Sequence, residues 1–543
     1  MKSEMSRRDF LKLGGAVGVT AAAVSVLGGG IKASAASEAP VIKEVLGNVS
    51  GANIVVYDPG TRDPRSKICI VMMYGSSRST DTLPNAGMRR YAALGYRAAN
   101  CAPTNGLFID QVRYLSSCIT WIKNNIEGIE KIVLWGNSRG CNLTSAYQRI
   151  AENGASTFQG AGMFLDIPNM NLVPADGIIM CDANYGFMTN HMVSLGTNLV
   201  SDDSVMQRTS ELDPMNTANG YISGGRAEYP EEFRVKYWKA QALRYNRMLD
   251  RAQERMYMIK NGQGMFSDDE PFCVVMGFGN VNNYQLYAHD MSFFSHTKNP
   301  RKLLHNDGSI TTEIVNSLRT PDNPVANFED MARCYSTTVS EYLYCGMHID
   351  VDNFRYDETE MFGIDIEYNF TSAHGNAKYI SCPTIATGRT DGFEYIVAEW
   401  VYDRSIAAKK DCIFVEGMSH GGGASGQYAN QVTNELSYID NWLQEVFEFT
   451  GGVVEPPPIT VETDAEFLQN RATSILNNGL SQDNLILEGS VLKLAIDGRE
   501  FILSTTANNR NIDGEIAIGD GYYLVFDIKG NGSNIKEFKV IKK

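Results

Sequence analysis

The sequence predicts an α/β chain: a mainly parallel, doubly wound sheet with a large insertion, followed by a small β-rich segment. Three observations carry this. Short apolar runs alternate with helical stretches over residues 40–185 and resume over 380–450, the pattern of strands joined by crossover helices. Between them the alternation breaks, in a segment over 185–380 rich in Met, Phe and Tyr. Beyond Pro456-Pro457-Pro458 the chain changes to short alternating runs.

The first 35 residues read as an address. Ser6-Arg7-Arg8-Asp9-Phe10-Leu11-Lys12 is a twin-arginine signature, Leu13 to Gly30 is weakly apolar, and Ala33-Ser34-Ala35 is an A-x-A cleavage site. Export by the twin-arginine route is therefore expected, with the translocase as a transient partner. Strands are expected at 53–57, 68–73, 97–101, 131–135 and 177–181, and helices at 88–93, 110–125 and 142–152. The helix over 110–125 rests on Val112, Leu115, Ile119 and Ile122 at helical spacing. Inside the broken segment a long helix is expected over 230–260, with Trp238, Ala242, Tyr245, Met248, Leu249, Ala252 and Met256 on one side. Strands at 383–387 and 413–415 and helices at 394–404 and 427–446 complete the sheet domain, residues 40–450. Residues 451–458 are a stiff Pro-rich linker. In 459–543 a helix is expected over 464–476, then strands, with Asp497-Gly498, Asp513-Gly514 and Asp520-Gly521 as turns.

Composition bounds the function. Of 543 residues, 43% are hydrophobic and 20% charged, which excludes a disordered chain. Lys and Arg number 48 against 63 Asp and Glu, a net charge of -15. Nothing there neutralises phosphates, so no nucleic-acid partner is expected. The ten cysteines include several inside apolar runs, such as Ile68-Cys69-Ile70, and no Cys-x-x-Cys pair occurs. They read as buried thiols rather than a zinc site or a disulfide framework. Asp350, Asp352, Asp357 and Asp365 lack the spacing of a calcium loop and read as a solvated face. No metal and no cofactor is expected.

Two stretches match G-x-S-x-G: Gly136-Asn137-Ser138-Arg139-Gly140 and Gly417-Met418-Ser419-His420-Gly421. The chemistry needs a sharp strand-to-helix turn that lifts a serine hydroxyl above the sheet. Ser138 follows the apolar run Ile132 to Trp135 and precedes a helix. Ser419 has no histidine beyond its neighbour His420, so it is the decoy.

Here the chain resembles the α/β-hydrolase superfamily over about residues 40–450. The resemblance rests on the strand–Gly136-Asn137-Ser138-Arg139-Gly140–helix unit and on a later acid and histidine. It implies the order Ser…acid…His. His420, in the loop after the last strand, takes the histidine position; His374 is a rival. The acid stays open among Asp391, after the strand 383–387, Glu399 in the following helix and Asp182 at the end of the strand 177–181, with Asp391 placed first. The oxyanion donors implied are the N–H of Arg139 and those of Gly75 and Ser76 in Tyr74-Gly75-Ser76-Ser77, a loop that departs from the His-Gly-Gly pattern of lipases. The segment 185–380 falls where such enzymes carry a lid. Its Met and aromatic content suggests either an apolar or aromatic substrate pocket or simply the core of the lid itself. The reading is an exported serine hydrolase cleaving small-molecule carboxylic esters. A serine peptidase or amidase, and an inactive hydrolase fold that binds a surface, are the alternatives. The C-terminal segment is expected to attach to cell wall or glycan.

Overall fold

The computed structural model describes residues 42–449, apart from 51, 61–62, 74–85, 104–105, 278–280 and 323–332, and the strands of the segment 485–542. The export signal, Gly75 and Ser76, the Pro-rich linker and the helix expected over 464–476 lie outside the described residues.

Ten strands make one sheet: β1 (Lys43–Val49), β2 (Ala52–Asp58), β3 (Ile68–Met73), β4 (Arg97–Pro103), β5 (Lys131–Asn137), β6 (Gly177–Cys181), β7 (Arg301–Leu304), β8 (Ile310–Glu313), β9 (Thr384–Arg389) and β10 (Lys410–Val415), in the order β1-β2-β4-β3-β5-β6-β9-β10-β7-β8. Every pairing from β4 through β7 is parallel. The antiparallel pairings are β1 with β2, β2 with β4, and β7 with β8. This is the mainly parallel, helix-covered sheet that the resemblance implied.

The central strands are apolar throughout because helices cover both faces. On one face α2 (Phe108–Asn125) and α3 (Arg139–Asn153) bury Val112, Leu115, Ile119, Leu143 and Ile150 against Ile54, Cys69, Val71, Ile132 and Leu134. On the other, α1 (Ala86–Ala93) and α8 (Gln431–Val446) bury Met88, Tyr91, Ile439, Trp442 and Leu443 against Val55, Ile70, Met72 and Val133. Alternate residues of β3 thus serve opposite cores, as the two-residue strand period requires.

Between β6 and β9 the chain forms α4 (Phe187–Val193), the 30-residue α5 (Glu231–Lys260) and α6 (Val339–Cys345), with Pro271–Gly277 and Arg333–Thr338 paired as antiparallel strands. The helix expected over 230–260 is α5, and it buries Trp238, Ala242, Tyr245, Met248, Leu249, Ala252 and Met256 as read. Not all of the segment stands off the sheet: β7 and β8 extend it beyond β10. Sequence pattern missed them because the strands are four residues each and β8 is exposed throughout, so no apolar period marks it. Many of the aromatic residues pack on one another. Trp238, Phe293, Phe294, Tyr287 and Tyr356 form ring contacts at 5.0–5.8 Å and are buried. Their abundance marks the segment's own core.

Residues 455–543 separate as a second unit. Leu485–Glu488, Val491–Ile496 and Arg499–Ser504 form one antiparallel sheet; Ile512–Gly519, Tyr522–Lys529 and Asn534–Lys542 form another. Asp513-Gly514, read as a turn, lies inside a strand, with Asp513 opposite Asp527 and Gly514 opposite Phe526. Pairing in the sheet overrides the local turn preference there.

Candidate active site

Ser138 is the single residue between β5 and α3. Its backbone sits at φ 55°, ψ -127°, a strained conformation for a residue with a Cβ and one that persists only where neighbours enforce it. They do so here. The Ser138 N–H donates to the carbonyls of Cys181 and Asp182, at 3.3 and 3.2 Å. A Cβ on Gly136 would fall 2.5 Å from the Cys141 nitrogen, so the strand can pass the helix only as glycine. Gly140 is different, since a Cβ there would meet only the Met73 carbonyl at 3.7 Å.

His420 sits in the loop after β10. Its Nδ1 lies 2.6 Å from Asp182 Oδ2. Asp182, at the end of β6, is fully buried and has φ 48°. Its N–H donates to Thr387 O at 2.7 Å, and its Oδ1 accepts the Arg389 N–H at 2.8 Å. The carboxylate is thereby fixed from β9 while it faces the imidazole.

Asp391, first in the sequence reading, is not brought to His420. The chain turns tightly after β9, with the Gly392 N–H donating to Arg389 O at 2.7 Å. That turn leaves Asp391 exposed and lays Gly392 against Asp182, where a Cβ would be 2.6 Å from Oδ2. Glu399 is also elsewhere. Its carboxylate accepts from the N–H groups of Lys298 and Asn299 and from Arg301 Nε, at 2.8–2.9 Å, and so holds β7. His374 is buried against Trp400 and bonded to Ser372, and burial, aided by Arg404, holds its pKa down at about 3.

The strand-to-helix turn at Ser138 and the loop that carries His420 are joined by Arg389. Its Nη1 donates to Asn137 Oδ1 and, at 3.0 Å, to His420 O. Nη2 is paired with Glu435 of α8 at 2.8 Å, with both side chains buried. Ser419 belongs to this loop and not to a strand-to-helix turn. Its hydroxyl donates to Gly423 O at 3.0 Å and accepts the Gly423 N–H at 3.2 Å, closing the loop that carries His420.

Two residues at the site escaped sequence reading. Glu394, read as the start of a helix, lies in the turn before α7 (Val397–Arg404), with Oε2 3.3 Å from His420 Nδ1. Glu341, on α6, accepts the Phe108 N–H at the start of α2. Burial raises its pKa to about 7 despite the nearby Arg139. The Arg139 guanidinium lies over the rings of Phe108 and Phe187, at 5.3 and 4.7 Å, and donates to Gln111 at 3.0 Å. The carboxylates around His420 decide its charge. Burial disfavours the imidazolium, but Glu394 and Asp182 outweigh both burial and Arg389 and raise its pKa to about 9.

Residues 4–24 match the family model of the twin-arginine translocation pathway signal sequence. The chain carries a twin-arginine export signal. Among the described residues no helix is long and apolar enough to cross a membrane. No curated protein matches the sequence. Solved structures that align with it include carboxyl esterase 2 of Tuber melanosporum, at 8% identity over 76% of this chain and 88% of that one, with a TM-score of 0.33. The siderophore hydrolase EstB of Aspergillus fumigatus aligns at 12% identity over 74% and 98%, with a TM-score of 0.33. The acylaminoacyl peptidase of Pyrococcus horikoshii aligns at 8% over 76% and 43%, also with a TM-score of 0.33.

Proposed function

We propose that the protein is an exported serine hydrolase that cleaves carboxylic esters through an acyl-enzyme on Ser138. The observation that carries this is buried Asp182, which holds His420 Nδ1 at 2.6 Å while its own carbonyl accepts the N–H of Ser138, on the strained strand-to-helix turn, at 3.2 Å. Neutral His420 takes the Ser138 proton on Nε2 as Oγ attacks the carbonyl. Asp182 keeps the ring proton on Nδ1 and stabilises the imidazolium that forms. The Arg139 N–H, first in α3, is one oxyanion donor, and the helix N-terminus favours the developing charge. The imidazolium then protonates the leaving alcohol, and water clears the acyl group by the same route. An ester needs less leaving-group help than an amide.

The inserted segment serves as a partial cover. Phe187 of α4 stacks on the residue next to the nucleophile, and Glu341 of α6 reaches the start of α2. The C-terminal unit attaches the enzyme to cell wall or glycan. The test of the core reading is Ser138→Ala: hydrolysis of a nitrophenyl ester and labelling by a fluorophosphonate should both vanish with the circular dichroism unchanged. Normal turnover by this variant overturns the proposal, and faster hydrolysis of peptide anilides than of esters by the parent would make it a peptidase.

A further inference from the structure

Two carboxylates, not one, face the same nitrogen of His420. Asp182 Oδ2 is 2.6 Å from Nδ1 and Glu394 Oε2 is 3.3 Å from it. They come from separate elements: Asp182 ends β6, and Glu394 stands in the turn between β9 and α7. Their surroundings differ as well. Asp182 is fully buried and already engaged by the Arg389 N–H. The Glu394 side chain keeps 16% of its surface exposed and is neighboured by Asn190 of α4. Nδ1 carries a single proton, which the shorter contact assigns to Asp182. Glu394 is thus a charge beside the ring without a proton to accept.

We propose that Glu394 is a second acid of the site, a positioning residue that stabilises the His420 imidazolium and takes over the Nδ1 proton when Asp182 is lost. This rests on the reading of Ser138 and His420 given above. Among the described residues, the groups facing the ring are Asp182 from β6, Glu394 from the turn and Arg389 from β9. Among the described residues, those facing Glu394 are His420, Asp182 and Asn190, with Tyr185 and Tyr287 in electrostatic reach; burial and Asp182 raise its pKa, while His420 and Asn190 lower it. Among the described residues Arg389 opposes the imidazolium, and Glu435 already pairs with it. The consequence has two sides. The imidazolium formed during attack is better stabilised. The resting ring, however, holds its extra proton up to about pH 9 and cannot act as a base until that proton leaves. Glu394 therefore pushes the working range of the enzyme towards alkaline pH.

The experiment follows the His420 ring by NMR through a pH titration in Ser138→Ala protein, with and without Glu394→Gln. The midpoint should fall by about one pH unit or more in the variant, a factor of about ten in proton affinity. In active enzyme the acid limb of the kcat/KM profile should move down with it, a change that a merely structural role would not produce. Asp182→Asn combined with Glu394→Gln should be about tenfold or more below Asp182→Asn alone. An unchanged midpoint, or a double variant no worse than Asp182→Asn, overturns the proposal. If Glu394→Gln does not fold, Glu394→Asp, which withdraws the charge, is titrated instead, and an unchanged midpoint there has the same force. The titration needs no turnover, so it stands apart from the Ser138 test: inert Ser138 with a shifted midpoint would sink the esterase reading alone.

Discussion

At Asp182 a backbone choice decides which carboxylate meets His420. A left-handed φ is tolerated by aspartate more readily than by most residues. It lets one carboxylate accept from Arg389 of the neighbouring strand and from His420 together. Asp182→Asn is therefore expected to be the most damaging of the three carboxylate changes considered from sequence. Turnover should fall by more than tenfold yet stay short of the ~10⁴ seen when a sole triad acid is neutralised, because Glu394 remains. Asp391→Asn should stay within about a factor of two, as for an ordinary surface change. Glu399→Gln should lower the melting temperature rather than kcat. Steady-state kinetics with thermal melts on the three variants separates these outcomes. The two motif glycines are likewise unequal. Gly136→Ala drives a Cβ into the backbone of α3 and should cost about 1–3 kcal/mol or prevent folding. Gly140→Ala, inside a helix with room for the methyl, should be neutral or stabilising by about 0.5–1 kcal/mol. Urea unfolding reads both.

Elements meet at Arg389. From the end of β9 it reaches β5 through Asn137, the histidine loop through His420 O, and α8 through Glu435. Glu435 also accepts from Thr387 at 2.7 Å. Removing one partner of a buried pair strands the other, which typically costs about 3–5 kcal/mol. Glu435→Leu should lose that much in chemical unfolding and should also slow turnover, since the guanidinium no longer holds its line. Arg389→Met with Glu435→Leu should recover much of the stability, because two apolar chains need no desolvation. It should not recover activity. A double variant as active as the parent would mean that the His420 loop is positioned without Arg389.

For the molecule as a whole, buried histidines set the response to acid. His191 and His374 have pKa values held down at about 3, chiefly by burial. Their unfolded values are near 6.5. Between those limits the unfolded chain binds protons that the folded one refuses, so stability falls as pH drops. Glu341 acts in the opposite sense between 4.5 and about 7, since its folded form keeps its proton. The acid loss should therefore steepen once pH passes below about 4.5. His420 adds an alkaline effect: with its pKa raised to about 9, it contributes stability that is full below 6.5 and is lost as pH rises from there through about 9. Melting temperatures across this range should form a dome. His374→Asn should flatten its acid side and His420→Gln its alkaline side; if both profiles match the parent, these groups are not the source.

The sequence by itself determined the address, the parallel sheet and the strand-to-helix turn at Ser138, because each is written in contiguous residues. The Arg pair with its apolar run, the apolar strands, and the glycine two residues before Ser138 are all local signals. His420 was legible by its position after the last strand. The carboxylate that meets His420 was not, because three carboxylates follow apolar strands or begin helices in much the same way. Which one meets the imidazole depends on a tight turn at Gly392, on a left-handed φ at Asp182 and on the Arg389 N–H of a strand distant in sequence. Glu394 was hidden for the same reason. Its side chain gains a role only when β6, β9 and the loop after β10 converge at one edge of the sheet, and convergence of that kind leaves no period or spacing in the chain.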